Sequence, residues 1–318
     1  MTPDHSSVTP GAGFPRGRWP EGREPFQFGI MLPMAEGDEG QPAPTFADLL
    51  TMARTANDVG IDIAWLPDHL VYRWPPANTP NGAWESFSFI AGLAAATERI
   101  SLGTMVTCTS FRNPGLTAKT AEAIDEISGG RFILGLGAGW HEPEYEMFGY
   151  PFDHRVSRFE DAIKIIQPLL TRGEVDYVGT YAQAVDAVIK PRGPRPEGPP
   201  IIVGTRGERM LRLTARYADA WNTVWHKEAA PAIEQMTNLD LACAEVGRDP
   251  KTVVRTVGGM IAMAGFEGDN AKFITGEREA VADVLRGFQE AGFRHFIAVL
   301  EPCTPATIEE FGRIMELV

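Results

Sequence analysis

R-I-S-L-G-T-M-V-T-C-T-S-F-R-N-P (residues 99–114) and G-G-R-F-I-L-G-L-G-A-G-W (residues 129–140) are two apolar, strand-like runs. Each ends in a cluster of small, polar or aromatic residues. The segment between them reads as a helix, opened by Asn113-Pro114 and closed by Gly129-Gly130. That is one strand–helix–strand unit, and the same alternation continues in both directions.

Working outward, apolar runs at Phe26–Leu32, Asp62–Leu66, Ile100–Thr107 and Phe132–Leu136 are read as strands one to four. The runs at 201–204, Asp219–Val224, Val253–Ala264 and Arg294–Leu300 are read as strands five to eight. Helical periodicity lies between them. Phe46, Leu49, Leu50 and Ala53 recur at i, i+3, i+4 and i+7, and further helices are expected over Trp84–Thr97, Glu208–Tyr217 and Glu277–Ala291. Ser157-x-x-Glu160 reads as a capping box for a helix carrying Phe159, Ile163, Ile166 and Leu170 on one face. Residues 174–200 break the alternation and read as a hairpin plus a Pro/Gly-rich connection. Eight strand–helix units predict a parallel sheet closed into a (β/α)8 TIM barrel over 26–318, with an insertion at about 174–200 after the fourth unit. An open doubly wound sheet would show a Gly-rich fingerprint after its first strand. L-P-M-A-E-G-D-E-G (32–40) has none. Residues 1–25, rich in Pro, Gly and Ser, are expected to be a disordered extension.

The 318 residues carry a net charge of −13, which argues against a nucleic-acid backbone as partner. No run approaches the roughly 20 apolar residues of a membrane span, and residues 1–17 lack a secretory pattern. Cys108, Cys243 and Cys303 lie far apart, an odd number that suits the cytoplasm.

In a barrel, chemistry sits where strands end. Strand four ends Gly135-Leu136-Gly137-Ala138-Gly139-Trp140. This is G-x-G-x-G followed by a loop through Pro143 and Pro151, not the G-x-G-x-x-G of a dinucleotide site. Small residues there either let a flat ring approach the backbone, with Trp140 as a wall, or serve tight packing alone. Strand two ends Pro67-Asp68-His69, where His69 is a candidate for proton transfer near neutral pH or simply a loop cap. Strand five ends Val203-Gly204-Thr205-Arg206-Gly207 before a helix, a possible anion cradle or an ordinary turn. Cys108 has no evident base and reads as a packed residue. His69, His141, His154 and His226 lie on different loops without metal-ligand spacing.

L-G-T-M-V-T-C-T-S-F-R-N-P, the glycine run and F-G-Y-P-F-D-H-R-V-S-R-F-E, with P-P-I-I-V-G-T-R-G-E-R-M downstream, resemble the bacterial luciferase-like flavin monooxygenase family. More narrowly they resemble its branch that uses the deazaflavin coenzyme F420. The likeness covers about Phe26 to Asn222. It implies the barrel with an insertion, a cytoplasmic homodimer, and a small-molecule substrate with no nucleic-acid or membrane partner. It also implies a non-proline cis peptide at Met105–Val106, behind the cofactor ring. It puts cofactor contacts on Asp68 and His69; on Met105, Val106 and Thr107; on Gly137, Ala138, Gly139 and Trp140; and on Val203, Gly204 and Thr205. His69 would carry the proton, with Asp68 beside it. Trp140 stands where sugar-phosphate dehydrogenases of this branch carry a Glu, which disfavours a sugar-phosphate substrate. Tyr72, Trp74 and Trp84 in the rim loops suggest an apolar or flat one. Two other readings are an FMN-dependent two-component monooxygenase using oxygen, and a non-catalytic barrel whose mouth is crowded by Trp140 and an acidic loop (Glu36, Asp38, Glu39).

Overall fold

The computed structural model describes residues 18–37, 40–75 and 78–318. Eight parallel strands close on themselves: β1 Gln27–Met31, β2 Ile63–Leu66, β3 Ser101–Thr104, β4 Phe132–Gly137, β5 Ile201–Gly204, β6 Ala220–Val224, β7 Val254–Ala262 and β8 His295–Glu301. Each pairs with its neighbours in sequence. β8 returns to β1 with Phe28 opposite Phe296, and β4 joins β5 with Leu134 opposite Ile201. The helices are α1 Phe46–Asp58, α2 Ser86–Ala96, α3 Pro114–Ser128, α4 Arg155–Arg172, α5 Glu208–Tyr217, α6 Ala229–Glu245, α7 Arg278–Glu290 and α8 Pro305–Met315. The expected (β/α)8 barrel is therefore present.

Two apolar layers hold it. Ile63, Trp65, Ile133, Ile202, Ala220 and Ile297 point into the barrel and fill it. The strands' other faces, including Phe28, Leu102, Leu134, Val203, Trp221 and Phe296, pack against the helices. Strands buried on both faces explain why they read as unbroken apolar runs rather than alternating ones.

The starts of α1, α2, α3 and α8 follow sequence chemistry, each capped by a side chain. Thr45 and Asp48 form a capping box on α1, and the Asn113 side chain caps α3 ahead of Pro114. Gly129, left-handed at φ 67°, ends α3. The Ser157–Glu160 capping box does not form. α4 begins two residues before Ser157, after a left-handed His154, and Arg209 of α5 recruits both the Ser157 hydroxyl and the Glu160 carboxylate. A tertiary cation outcompetes the local cap. The stretch after β4 is not all loop either: Glu142–Phe148 is a short helix with Pro143 in its first turn. Two antiparallel hairpins flank the barrel, Val71–Arg73 with Pro80–Gly82, and Glu174–Val178 with Gln183–Val188. The second lies within the 174–200 break.

The disorder expected for residues 1–25 needs correction over its last part. Arg18–Pro25 straps the barrel bottom. The Trp19 ring stacks under Trp65 at 6.4 Å and donates to Gln27 at 2.8 Å, while Arg18 pairs with buried Asp219 at 2.6 Å. Composition signalled flexibility; a partly buried indole and a buried ion pair override it. Residues 1–17, and Asp38 and Glu39 of the acidic loop, lie outside the described residues. Among the described residues no helix is long and apolar enough to cross a membrane.

Candidate active site

At the top of the barrel β3 stops at Thr104, and pairing resumes at Thr107–Cys108, which lie beside Leu136–Gly137 of β4. The intervening Met105–Val106 peptide bond is cis. Three hydroxyls stitch this seam. Thr107 donates to Thr104 Oγ1, Thr104 donates to the Gly135 carbonyl and accepts from the Gly135 N–H, each at 2.9 Å, and Thr109 donates to the Gly137 carbonyl at 3.2 Å.

The glycine run answers to this seam first. A Cβ on Gly135 would sit 1.8 Å from the Thr104 carbonyl oxygen, and one on Gly137 would meet a Val106 methyl at 2.6 Å. Gly139 is left-handed at φ 79°, and a side chain there would strike the Tyr145 hydroxyl. Val106 thus lies across the ends of β4 and β5, against Gly135, Gly137 and Gly204. Thr107, Gly137 and Val203 are buried within the seam and the outer layer, and Met105 is nearly so. Val106, Ala138, Gly139, Gly204 and Thr205 are partly open, and Trp140 stands well exposed at 55%.

His69, just past the end of β2, is held from below. Its Nδ1 lies 2.9 Å from Oε1 of Glu144, whose other oxygen accepts the Leu70 N–H at 3.0 Å. Glu144 comes from the short helix 142–148 and is 1% exposed. Around the imidazole stand Tyr72, with ring centres 4.4 Å apart, and Trp140, edge-on at 5.5 Å. Trp74 stacks between Tyr72 and Trp140, at 5.7 and 5.6 Å. His141 closes the group: its Nε2 accepts the Arg73 N–H at 3.0 Å, and burial pushes its pKa below the ordinary histidine value. Burial, then the nearby Glu144 and Asp68 charges, push the Tyr72 hydroxyl above its usual range, so it stays a neutral phenol.

Asp68 does not contact His69. Arg112 grips it with both amino groups, at 2.6 and 2.8 Å, and the Cys108 N–H donates to it at 3.0 Å. Arg112 also bonds Glu85 at 2.6 Å. Burial opposes the guanidinium charge, but the bonds and charges of Asp68 and Glu85 outweigh it and hold the proton more firmly than usual. The expected pairing of Asp68 with His69, in which Asp68 would help position the proton carrier, is therefore corrected. Its carboxylate is fully committed, and it fixes the loop after β3. Cys108 is packed against the Tyr145 hydroxyl at 3.0 Å, and burial pushes its thiol up to about 12, so it is no nucleophile at neutral pH.

Across the mouth, α5 starts at Gly207, which offers no side-chain cap to the first N–H groups. The Thr205 carbonyl accepts from the Trp221 indole at 2.9 Å, and Arg206 turns away to the Val224 carbonyl. His226 hydrogen-bonds Thr223 at 2.8 Å, with its pKa lowered by burial. A cleft of about 440 Å³ opens beside the strand ends, between the loop after β3 and the tip of the 174–188 hairpin, with Arg112, Asn113 and Arg158 in its walls. It shares Arg112 with the Asp68 pair but does not contain His69. Among the described residues no three His, Cys, Asp or Glu side chains gather where they could hold a metal ion.

The structure thus brings His69, Trp140 and Tyr72 together, with Val106 and the β4 end as a separate seam, and it removes Asp68 from the group. Sequence reading missed Glu144. Pro143 so soon after Trp140-His141 is a helix-start signal, and reading it as one would have turned residue 144 inward.

Residues 26–271 match the luciferase-like monooxygenase family. A 5,10-methylenetetrahydromethanopterin reductase of Archaeoglobus fulgidus is 31% identical over 217 residues, 68% of this chain and 60% of that protein. An F420-dependent glucose-6-phosphate dehydrogenase of Amycolatopsis mediterranei is 33% identical over 180 residues, 55% of this chain and 52% of that protein. The chain thus spans little more than half the length of the curated relatives it matches. In fold it is similar to an F420-dependent secondary alcohol dehydrogenase solved with an F420–acetone adduct, at TM-score 0.76 and 18% identity over 92% of this chain and 99% of that one. With the match covering most of its length, this chain belongs to the luciferase-like monooxygenase family.

Proposed function

We propose that the protein is a coenzyme F420-dependent oxidoreductase acting on a small, uncharged, flat or apolar substrate. The observation that carries this is His69, clamped at Nδ1 by a buried carboxylate and surrounded by aromatic rings at the C-terminal rim of the barrel. The relatives named above support the choice of cofactor.

The rim suits such a ring. Val106, Ala138, Gly139 and Gly204 offer a low surface without long side chains, and the uncapped start of α5 beside Thr205 suits a phosphate. When bound, F420 supplies or accepts hydride at C5. The chain's own residues do the rest. His69 exchanges a proton with the substrate oxygen, and the Asp68–Arg112 pair holds the loop after β3. Tyr72, Trp74 and Trp140 exclude water and stack on the substrate. Trp140, in the place of an acidic residue, removes a partner for polar sugars. The reading includes a cytoplasmic homodimer, which fits three unpaired cysteines and is checked by light scattering.

Fluorescence titration with F420 and with FMN is the test. Micromolar F420 binding and F420-linked turnover of a panel of ketones and secondary alcohols are expected. Tight FMN binding with oxygen consumption, and no F420 binding, would sink the proposal.

A further inference from the structure

Glu144 is buried, yet among the described residues no Lys or Arg pairs with it. Each oxygen has one partner: the His69 ring and the Leu70 N–H. The titratable groups near it are Tyr72, His141 and Cys108, and none brings a positive charge: burial keeps the phenol and thiol protonated, and His141 uses Nε2 as an acceptor. A carboxylate withdrawn from water is expensive unless a countercharge faces it. Among the described residues only His69 is placed to supply one. The Glu144 oxygen also fixes the tautomer, because Nδ1 must carry a hydrogen to bond an acceptor. The other ring nitrogen, Nε2, has no hydrogen-bond partner among the described residues. The His69 side chain keeps 14% of its surface exposed, so the ring is within reach of the barrel mouth.

We propose that Glu144 is the positioning residue of His69. It locks the ring as the Nδ1–H form, makes Nε2 the atom that exchanges a proton with substrate, and balances the charge when Nε2 is protonated. The proposal rests on the oxidoreductase reading above. In carbonyl reduction, bound F420 would supply the hydride for the new C–H bond while the carbonyl π pair moves to oxygen. The Nε2 proton completes the O–H bond, leaving neutral His69 still hydrogen-bonded to Glu144. The two electrons the substrate gains would come from the reduced cofactor. Alcohol oxidation runs the same steps backwards, with Nε2 taking the hydroxyl proton.

The test is nitrogen-15 NMR of histidine-labelled full-length protein, with His69→Gln used to assign the His69 signals among the six histidines. The neutral His69 ring is expected to be protonated at Nδ1 and bare at Nε2. Glu144→Gln, whose amide oxygen still accepts, keeps that pattern, whereas Glu144→Leu shifts it toward Nε2–H. The kcat with F420 falls about 10²-fold in Glu144→Leu and less in Glu144→Gln, with F420 affinity within about threefold of wild type in both. An Nε2–H ring in the wild type, or unchanged kcat in Glu144→Leu, overturns the proposal; should Glu144→Leu fail to fold, unchanged kcat in Glu144→Gln together with an Nε2–H wild type does so. The expected ring pattern without any F420 binding supports the positioning and overturns the cofactor reading instead, so the two failures are separable.

Discussion

The indole of Trp65 donates to Nε2 of His295 across 3.0 Å inside the barrel, where both are fully buried. The imidazole must therefore stay unprotonated at Nε2, and burial lowers its pKa to about 3. An unfolded chain would titrate near the ordinary value of about 6.5. The unfolded state then binds a proton that the folded state does not, so stability is complete above about pH 6.5 and declines as pH falls toward 3. By pH 5 the loss is about 2 kcal/mol. Thermal melts between pH 5 and 8 should show this slope, flattened in His295→Gln, which keeps an acceptor for Trp65 but does not titrate. Identical slopes would count against it.

Arg112 is the bidentate partner of buried Asp68. Arg112→Met strands that carboxylate and should cost about 3–5 kcal/mol, whereas Asp68→Asn and Arg112→Met together should cost clearly less than the sum of those two singles. Urea midpoints of the two singles and the double variant measure the coupling, and strict additivity would refute it.

Two glycines make opposite predictions. At Gly135 any side chain collides with the Thr104 carbonyl. Gly135→Ala should therefore be destabilised by more than about 3 kcal/mol and lose ligand binding, because a backbone atom cannot swing aside. Gly287 lies within α7 with open space where its Cβ would go. Gly287→Ala should gain about 0.5–1 kcal/mol from helix propensity. Chemical denaturation of both variants settles each sign.

Trp19 seals the barrel bottom against Trp65 and edge-on against His295 at 6.0 Å. Because the indole is only partly buried, Trp19→Ala should cost about 2 kcal/mol, below the range for a fully buried Trp. The melting temperature and the fluorescence of the remaining tryptophans report it. An unchanged melting temperature would mean that the strap does not hold.

The barrel was legible because strands buried on both faces write themselves as apolar runs, and because caps such as Asn113-Pro114 are local. What stayed hidden is tertiary. The capping box at Ser157 lost to Arg209, a residue 52 positions away. Asp68 and His69 are adjacent in sequence, which suggested a pair, but neighbours along a strand end point apart. The real partner of His69 is Glu144, 75 residues on. The glycines of β4 were visible, yet only the position of the Thr104 carbonyl reveals that packing already requires one of them.

Arg18 meets Asp219 across 201 residues, and Glu24 meets Arg294 across 270. With Arg23, which donates to the Met315 carbonyl across 292 residues, these contacts close some of the longest loops among the described residues, and those of Arg23 and Glu24 can form only after nearly the whole chain has been synthesised. Contacts of such high sequence separation are expected to form after the folding transition state. Strengthening the strap should then leave the refolding rate alone and slow unfolding, which makes the barrel bottom the place where this protein's lifetime, rather than its speed of folding, is set.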